Sequence, residues 1–287
     1  MKCLSCNSKN LEIYSKKSEL GLEVYFCKKC MFYVCGNSFS EINEKISKLY
    51  LKNYWDEHKS LTGTTSTMQK YGRTAANSIK SGYSDDESLG RKRSWVSQLK
   101  YCEPHIRNKN KILEIGSGAG HASFWFEQKG FVVTGIEPDE RNVKLINEKL
   151  KRGKIFQGFG EKFRSEKKFE IIWMSHVLEH MVDLEDFINK IKSNLDENGI
   201  FFIEVPNAGH KPTLIASINE PHVYHFSKKA LSNFMKNMGF KIISCDCFRP
   251  ATKVEGMENK IFGKKFPYYP RILTDEKSGT DLRIILK

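Results

Sequence analysis

Residues 111–121 read Lys-Ile-Leu-Glu-Ile-Gly-Ser-Gly-Ala-Gly-His, a short apolar run carrying an acid at Glu114, then glycines at 116, 118 and 120 that open the helical stretch HASFWFEQKG. Glycines at these positions permit a tight turn and a close approach of ligand to backbone, and a helix start offers unpaired N–H groups. The spacing is G-x-G-x-G, one residue short of the G-x-G-x-x-G fingerprint of dinucleotide sites. A second acid, Glu137, ends the next apolar run, GFVVTGIE. A carboxylate there can accept both hydroxyls of a ribose at the carboxyl edge of a parallel sheet, where open α/β sheets bind ligands.

Working outward from this turn, the apolar runs KILEI, GFVVTGIE, KIFQ, FEIIWMS and GIFFIEVP are rich in Ile, Val and Phe. Helical segments such as DERNVKLINEKLK and DLEDFINKIKSNL separate them. Strands alternating with helices at this spacing predict an α/β fold, a parallel sheet covered by helices on both faces. FKIISCD and DLRIILK follow as two further strands, and no repeat recurs at solenoid periods. Upstream, EINEKISKLYLKNYWDEH places Ile42, Ile46, Leu49 and Tyr50 on one helical stripe. Residues 60–90 bring Gly, Ser and Thr and read as loops or a cover, and ESLGRKRSWVSQLKYC is a second helix leading to Pro104.

On these residues the chain resembles a known family. LEIGSGAGH is similar to the first motif of class I S-adenosylmethionine-dependent methyltransferases. GFGEKF, followed by FEIIWMSHVLEHMVDLEDFINKIKSNLDENGIFFIEVPN, resembles the fourth strand, helix and fifth strand of the small-molecule O-, N- and C-methyltransferases, quinone and sugar enzymes among them. The resemblance implies a Rossmann-like sheet whose last strand, DLRIILK, is antiparallel, over residues 105–287. It implies that Glu114, Gly116, Ser117, Gly118 and Gly120 meet the methionine end of S-adenosylmethionine and that Glu137 and Pro138 meet its ribose. Gly160, Glu161 and Ser175 complete the expected cofactor set. The acid usual after the third strand is replaced between Gln157 and Glu161.

Five of the eight cysteines fall within the first 35 residues. Cys3-x2-Cys6 and Cys27-x2-Cys30 have the spacing of two zinc knuckles, because a two-residue gap lets both thiolates of a knuckle reach one tetrahedral ion. A redox pair is the alternative reading. LEIYSKK and LEVYFC around Gly21 read as the strands of a zinc ribbon, so residues 1–40 are expected to form a ribbon around structural Zn²⁺ and 41–104 a helical linker and active-site cover. The ribbon resembles the zinc-binding front domain of some sugar methyltransferases. Cys35 has no evident partner in the sequence.

His176-Val-Leu-Glu179-His180 also reads as H-x-x-E-H, an inverted zinc-peptidase motif. That chemistry needs a sustained helix, whereas here the motif follows a strand and the helical pattern restarts only at Asp183. His180 is therefore expected at the sheet's carboxyl edge, as a base for an acceptor hydroxyl or as a histidine bonded to a loop carbonyl. Glu220-Pro-His222-Val-Tyr224-His225-Phe follows the fifth strand and is expected in the substrate cover, with His222 as a second candidate base. Trp55, Tyr71 and Arg73 are candidates to close over the cofactor.

The composition suits a globular chain: 39% hydrophobic, 12% aromatic and 28% charged residues over 287. No window reaches the ~18 apolar residues of a membrane span, the start lacks a secretory signal's apolar core, and a cytoplasmic protein is expected. The net charge of +13 invites a nucleic-acid partner, and residues 70–111 carry ten basic side chains against four acids. Lys outnumbers Arg by 37 to 10, however, which is the balance of a solvated Lys-rich surface. The reading is thus a methyltransferase acting on a small polar acceptor, of sugar or nucleotide-sugar type. The rivals are an RNA or protein methyltransferase using the ribbon and stretch 70–111, a cofactor-binding module without catalysis, and, remotely, the peptidase.

Overall fold

A computed structural model describes residues 2–36, 38–51, 92–107, 111–118, 120–251 and 271–287. The expectations for residues 60–90, for Trp55, Tyr71 and Arg73, and for Lys70, Arg73, Lys80, Arg91 and Lys109 of the basic stretch lie outside the described residues. So do the side chains of Leu49, Tyr50, Lys92 and Arg93.

The apolar runs form the strands that their composition predicts. β4 (Lys111–Ile115), β5 (Val132–Glu137), β6 (Lys154–Gln157), β7 (Phe169–Ser175) and β8 (Leu195–Pro206) are parallel neighbours in the order β8-β7-β4-β5-β6. β12 (Asp281–Leu286) pairs antiparallel with β8, β10 (Ile242–Pro250) pairs antiparallel with β12, and β11 (Arg271–Thr274) forms the edge. The expected last antiparallel strand is therefore present, inserted between β8 and β10. Strand order reverses between β4 and β7, and the carboxyl ends of strands beside such a reversal are the place where these sheets take ligands.

Both faces of the sheet are covered. α2 (Lys92–Cys102), α3 (His121–Gln128) and α4 (Glu140–Asn147) lie on one side, where Val96, Leu99, Phe126, Ile146, Trp173 and Phe202 form one buried cluster. α5 (Leu184–Lys192), α6 (Lys211–Ile218) and α7 (Lys228–Asn237) lie with the second cluster, which contains Ile188, Leu214 and Phe234. Asp139 caps α4 through Arg141 N–H at 2.9 Å, and Asp183 caps α5 through Asp186 N–H at 3.0 Å, so each helix starts where a short acid satisfies an orphan donor.

The amino-terminal unit has one strand more than its sequence suggested. β1 (Glu12–Ser15) and β2 (Val24–Cys27) are the expected pair, while β3 (Phe32–Cys35) extends the sheet and pairs antiparallel with β9 (Tyr224–Phe226), about 190 residues away. Phe32, Tyr33, Val34 and Cys35 are all buried, so β3 lacks the alternation that marks a one-sided strand. α1 (Phe39–Leu51) sends Ile42 and Ile46 into the same cluster. The ribbon and the α/β unit thus share one continuous apolar core.

Candidate functional site

The glycine turn leaves β4 and immediately folds back on β5: the N–H groups of Gly116 and Ser117 donate to the Ile136 carbonyl at 2.9 and 3.1 Å. Gly116 and Gly120 both have φ of 76°, a left-handed conformation costly for other residues. A Cβ on Gly116 would stand 2.5 Å from Val177 Cγ2, and one on Gly120 would strike Ile146. The turn is consequently both strained for side chains and roofed by the loop after β7.

The two acids hold this turn from either end. Glu114 is buried and accepts from the Ser123 hydroxyl of α3; burial pushes its carboxyl up to about 8, against the opposing hydrogen bonds of Ser123 and Ser117. Glu137 accepts from Gly118 N–H at 2.7 Å and from Asp139 N–H at 3.1 Å. Its carboxylate therefore stands beside the central glycine at the carboxyl edge, as the sequence led one to expect, and also stitches the turn to β5. The Ser117 hydroxyl is buried beside Glu114. A buried acid and a Cβ-free cradle suit a polar, cationic ligand such as S-adenosylmethionine. Pro138 follows Glu137 at the rim, half-buried.

Three members of the expected set also contact neighbouring elements. The Glu161 carboxylate accepts from Val182 N–H at 3.2 Å and so anchors the loop that precedes α5. Gly160, which opens the 3₁₀ turn Gly160–Lys162, would bring a Cβ within 2.9 Å of Ile115, so it packs closely on β4. Ser175, ending β7, meets Gln98 Nε2 at 3.0 Å and Glu204 Oε1 at 3.3 Å.

Ser175 belongs to a buried polar network that sequence reasoning did not find. Arg283 of β12 donates through Nε to Glu204 Oε2 at 2.5 Å and through Nη1 to Ser97 at 2.8 Å, and the Gln98 amide donates to Glu204 Oε1 at 2.5 Å. Arg283 and Glu204 are 0% and 1% exposed. Burial alone would raise Glu204; the Arg283 guanidinium overrides it and holds the carboxyl well below the usual range. His176 faces the same carboxylate, with Nε2 3.4 Å from Glu204 and Nδ1 3.4 Å from Glu179. Although desolvation opposes it, these two carboxylates raise the His176 imidazole above its ordinary value. Its φ of 56° marks the sharp exit from β7.

The H-x-x-E-H residues do not lie on a sustained helix. Leu178–His180 is one 3₁₀ turn, and α5 begins only at Leu184, so the helical face that the peptidase reading needs is missing here. His180 instead turns its Nδ1 to the Pro221 carbonyl at 3.0 Å, which fixes Nε2 as its basic nitrogen, and burial lowers its pKa. Its ring packs edge-on against His222, centroids 4.5 Å apart. The two candidate histidines, placed by sequence reading on opposite sides of the cleft, are in contact. His222 is 3% exposed, and burial drives it well below the usual histidine range. The segment expected as a substrate cover is, at Tyr224–Phe226, the strand β9 beneath the ribbon.

The cysteines converge as their spacing predicts. Cys3 and Cys30 sulfurs are 3.5 Å apart, Cys6 and Cys27 sulfurs 3.5 Å, and all four lie within 4.8 Å of one another. Zinc–sulfur bonds of ~2.3 Å give a tetrahedral edge of about 3.8 Å, so the four thiols fit that ion. Each knuckle closes on a left-handed residue, Asn7 or Met31, whose N–H returns to the carbonyl of the first cysteine at 2.9 or 2.8 Å. The hydrogen bond with Cys3 draws the Cys30 thiol below its usual value. Glu179, His180 and His222 are the other group whose ligand atoms lie within 4.8 Å, among the described residues.

Comparison with known proteins agrees with this geometry. Residues 89–245 match the family model described as a methyltransferase domain. The chain is 28% identical over 117 residues to a ubiquinone biosynthesis O-methyltransferase of Pelagibacter ubique, covering 39% of this chain and 49% of that protein. It is 30% identical over 132 residues to pavine N-methyltransferase of Thalictrum flavum, covering 43% and 37%. It thus spans about half or less of the length of these relatives. The fold is shared with a SAM-dependent methyltransferase from Archaeoglobus fulgidus, at a TM-score of 0.52, 19% identity and coverage of 68% and 94%. An S-adenosylmethionine-dependent methyltransferase from Clostridium acetobutylicum gives a TM-score of 0.53 at 11% identity, covering 75% and 99%. No helix among the described residues is long and apolar enough to cross a membrane. With its parallel sheet, its glycine turn between two acids and a family match over more than half its length, the chain belongs to the methyltransferase-domain family.

Proposed function

We propose that this protein transfers a methyl group from S-adenosylmethionine to a hydroxyl of a small polar acceptor. The observation that carries the reading is the cradle formed by Glu114, Gly116, Gly118 and Glu137 at the carboxyl ends of β4 and β5, with the His176–His180 loop standing over it through Val177. When bound, the cofactor supplies a methyl group already activated by a sulfonium charge. The chain's own residues then have to align the acceptor and take its proton. His180 suits proton removal because it is half-buried, its Nδ1 engages a carbonyl, and its lowered pKa keeps Nε2 unprotonated at neutral pH. His222 stands behind it.

The ubiquinone-biosynthesis relatives support an O-methyl acceptor of small-molecule size. A sugar-linked acceptor rests on the resemblance of the ribbon alone, so an acceptor screen should contain both phenolic and sugar hydroxyls. The cysteine set supports structural Zn²⁺ on Cys3, Cys6, Cys27 and Cys30, ligands that a reducing compartment such as the cytoplasm would keep as thiols. The test is calorimetric titration with S-adenosylmethionine, followed by mass-shift screening of phenol, sugar and RNA pools for a gain of one methyl group. Failure to bind S-adenosylmethionine would overturn the assignment; methylation confined to RNA would replace the acceptor class.

A further inference from the structure

Cys35 is the thiol for which the sequence offered no partner, and the structure places it at one end of a hydrogen-bonded chain. Its sulfur lies 3.6 Å from His225 Nε2; His225 Nδ1 lies 2.8 Å from the Ser217 hydroxyl; the same hydroxyl lies 2.7 Å from His222 Nδ1. At the far end, His222 Nε2 faces Glu220 Oε2 at 3.3 Å and Glu179 Oε1 at 4.0 Å. Cys35, Ser217, His222 and His225 are all buried, so water does not interrupt the chain.

Proton counting leaves three arrangements. A neutral imidazole carries one N–H, and a serine hydroxyl has one proton and two lone pairs, so Ser217 donates to one Nδ1 and accepts from the other, or accepts from both. Every bond runs from Cys35 towards the carboxylates, or every bond runs back, or both imidazoles donate to Ser217. In the second and third cases His222 would turn a lone pair towards two groups that, ionised, only accept. In the first, His222 presents Nε2–H to them. The thiol end also disfavours the second: burial raises Cys35 to about 11, against a lowering by Ser18, so its sulfur keeps a proton to give.

We propose that Cys35 is a positioning residue: through His225 and Ser217 its thiol fixes His222 as the Nε2–H tautomer, facing the carboxylates beside His180. The proposal rests on the reading that this cluster borders the acceptor. It narrows the two candidate bases to His180, because His222 Nε2 already carries its proton. It also gives the ribbon a part in the site besides folding, since β3 carries Cys35.

The test is histidine-selective ¹⁵N correlation spectroscopy on the full-length, zinc-loaded protein, which reports which ring nitrogen carries the proton. His222 is expected with a protonated Nε2 and a pyridine-like Nδ1. Cys35→Ser keeps a donor and should preserve that pattern. Cys35→Ala should give a tautomer mixture and lower kcat/KM for the acceptor by roughly fivefold to tenfold, one hydrogen bond's contribution, while the S-adenosylmethionine Kd is kept. Ser217→Ala cuts the chain from the other side without touching the ribbon and should give the same mixture even if the cysteine variant fails to fold. A wild-type His222 protonated at Nδ1, or variants with an unchanged His222 pattern, would overturn the proposal. So would added Zn²⁺ or Mn²⁺ that converts His222 to an Nε2-bound ligand. Because the spectra are read without turnover, a protein that binds S-adenosylmethionine but methylates nothing would sink the proposed function and leave this inference standing or falling by itself.

Discussion

The Ser227 hydroxyl donates to the carbonyl oxygen of Cys30 at 2.8 Å, so a zinc-ligand cysteine and the first residue before α7 hold one another across 197 positions of sequence. Ser227 also caps α7 through Ala230 N–H at 3.1 Å. One hydroxyl therefore serves a helix start and a metal knuckle.

From this joint follows the first prediction. Removing zinc by a chelator, or replacing Cys27 by Ser, should loosen more than the first 40 residues. β9 loses its edge partner β3, and the Phe32–Phe226 contact at 5.3 Å goes with it. Hydrogen exchange followed by mass spectrometry should show lost protection over Val24–Cys35 and also over Val223–Phe226. Protection lost in the ribbon alone would mean that the two sheets are joined only in name.

The second prediction concerns the glycine turn. Gly116→Ala places a Cβ at φ 76° and against Val177, which should cost about 1 to 3 kcal/mol of stability. Part of that cost is the Val177 collision, which Val177→Ala removes; the left-handed strain remains. Chemical denaturation of the single and double variants should give a favourable coupling between the two sites. Strict additivity would show that the loop yields freely.

How much of this was legible in the sequence follows from the range over which each signal acts. β4, β5 and β7 announce themselves because strands buried on both faces are continuous apolar runs, and the knuckles because metal spacing is local. Glu137 could be placed because the strand end fixes its position. β3 could not, since its partner β9 lies in a segment that read as a cover and its four buried residues show no alternation. Arg283 hid inside DLRIILK as one polar residue of a strand, and only the sheet order brings it to Glu204. Cys35 looked spare because its partner, His225, stands across the same non-local pairing.

The Arg283–Glu204 pair carries the third prediction. Both groups are fully buried, so Arg283→Met leaves the Glu204 carboxylate with only Gln98 and His176 beside it and should destabilise the protein by up to roughly 3 to 5 kcal/mol near neutral pH. The sign with pH follows from the depressed folded pKa of Glu204. The pair's contribution is fully present above the unfolded carboxylate pKa of about 4.3 and is lost progressively as pH falls from there through the much lower folded pKa. The gap in denaturant midpoint between the two proteins should therefore narrow from pH 7 down to 3. A gap that stayed constant would assign the loss to packing.

The fourth prediction is a pH profile. With its pKa lowered by burial, His180 should be neutral throughout the ordinary working range. If it takes the acceptor's proton, kcat/KM should rise with pH through an apparent value below the usual ~6.5 and be flat above it, for an acceptor that does not itself titrate there. His180→Ala should lower kcat by about 10²-fold to 10⁴-fold with S-adenosylmethionine affinity nearly kept. Equal loss of binding and turnover would make His180 structural.

The last prediction joins Glu114 to the charge of the cofactor. Burial pushes this carboxyl up to about 8, so in the ligand-free protein it is mostly protonated at pH 7. The methionine end of S-adenosylmethionine carries an ammonium and a sulfonium, and a cation near a buried carboxyl favours its ionised form. Binding should therefore drive a proton off Glu114, with more released at pH 7 than at pH 9, where much of the group is already ionised. Calorimetry at pH 7 in buffers of different ionisation enthalpy reads this directly: the slope of apparent enthalpy against buffer enthalpy should correspond to release of up to one proton. Glu114→Gln should abolish the release and weaken binding by roughly 1.5 to 3 kcal/mol, the range for a hydrogen bond to a charged group. Unchanged affinity in that variant would place the cofactor's cationic end elsewhere. A proton release that survived it would assign the titrating group to another residue.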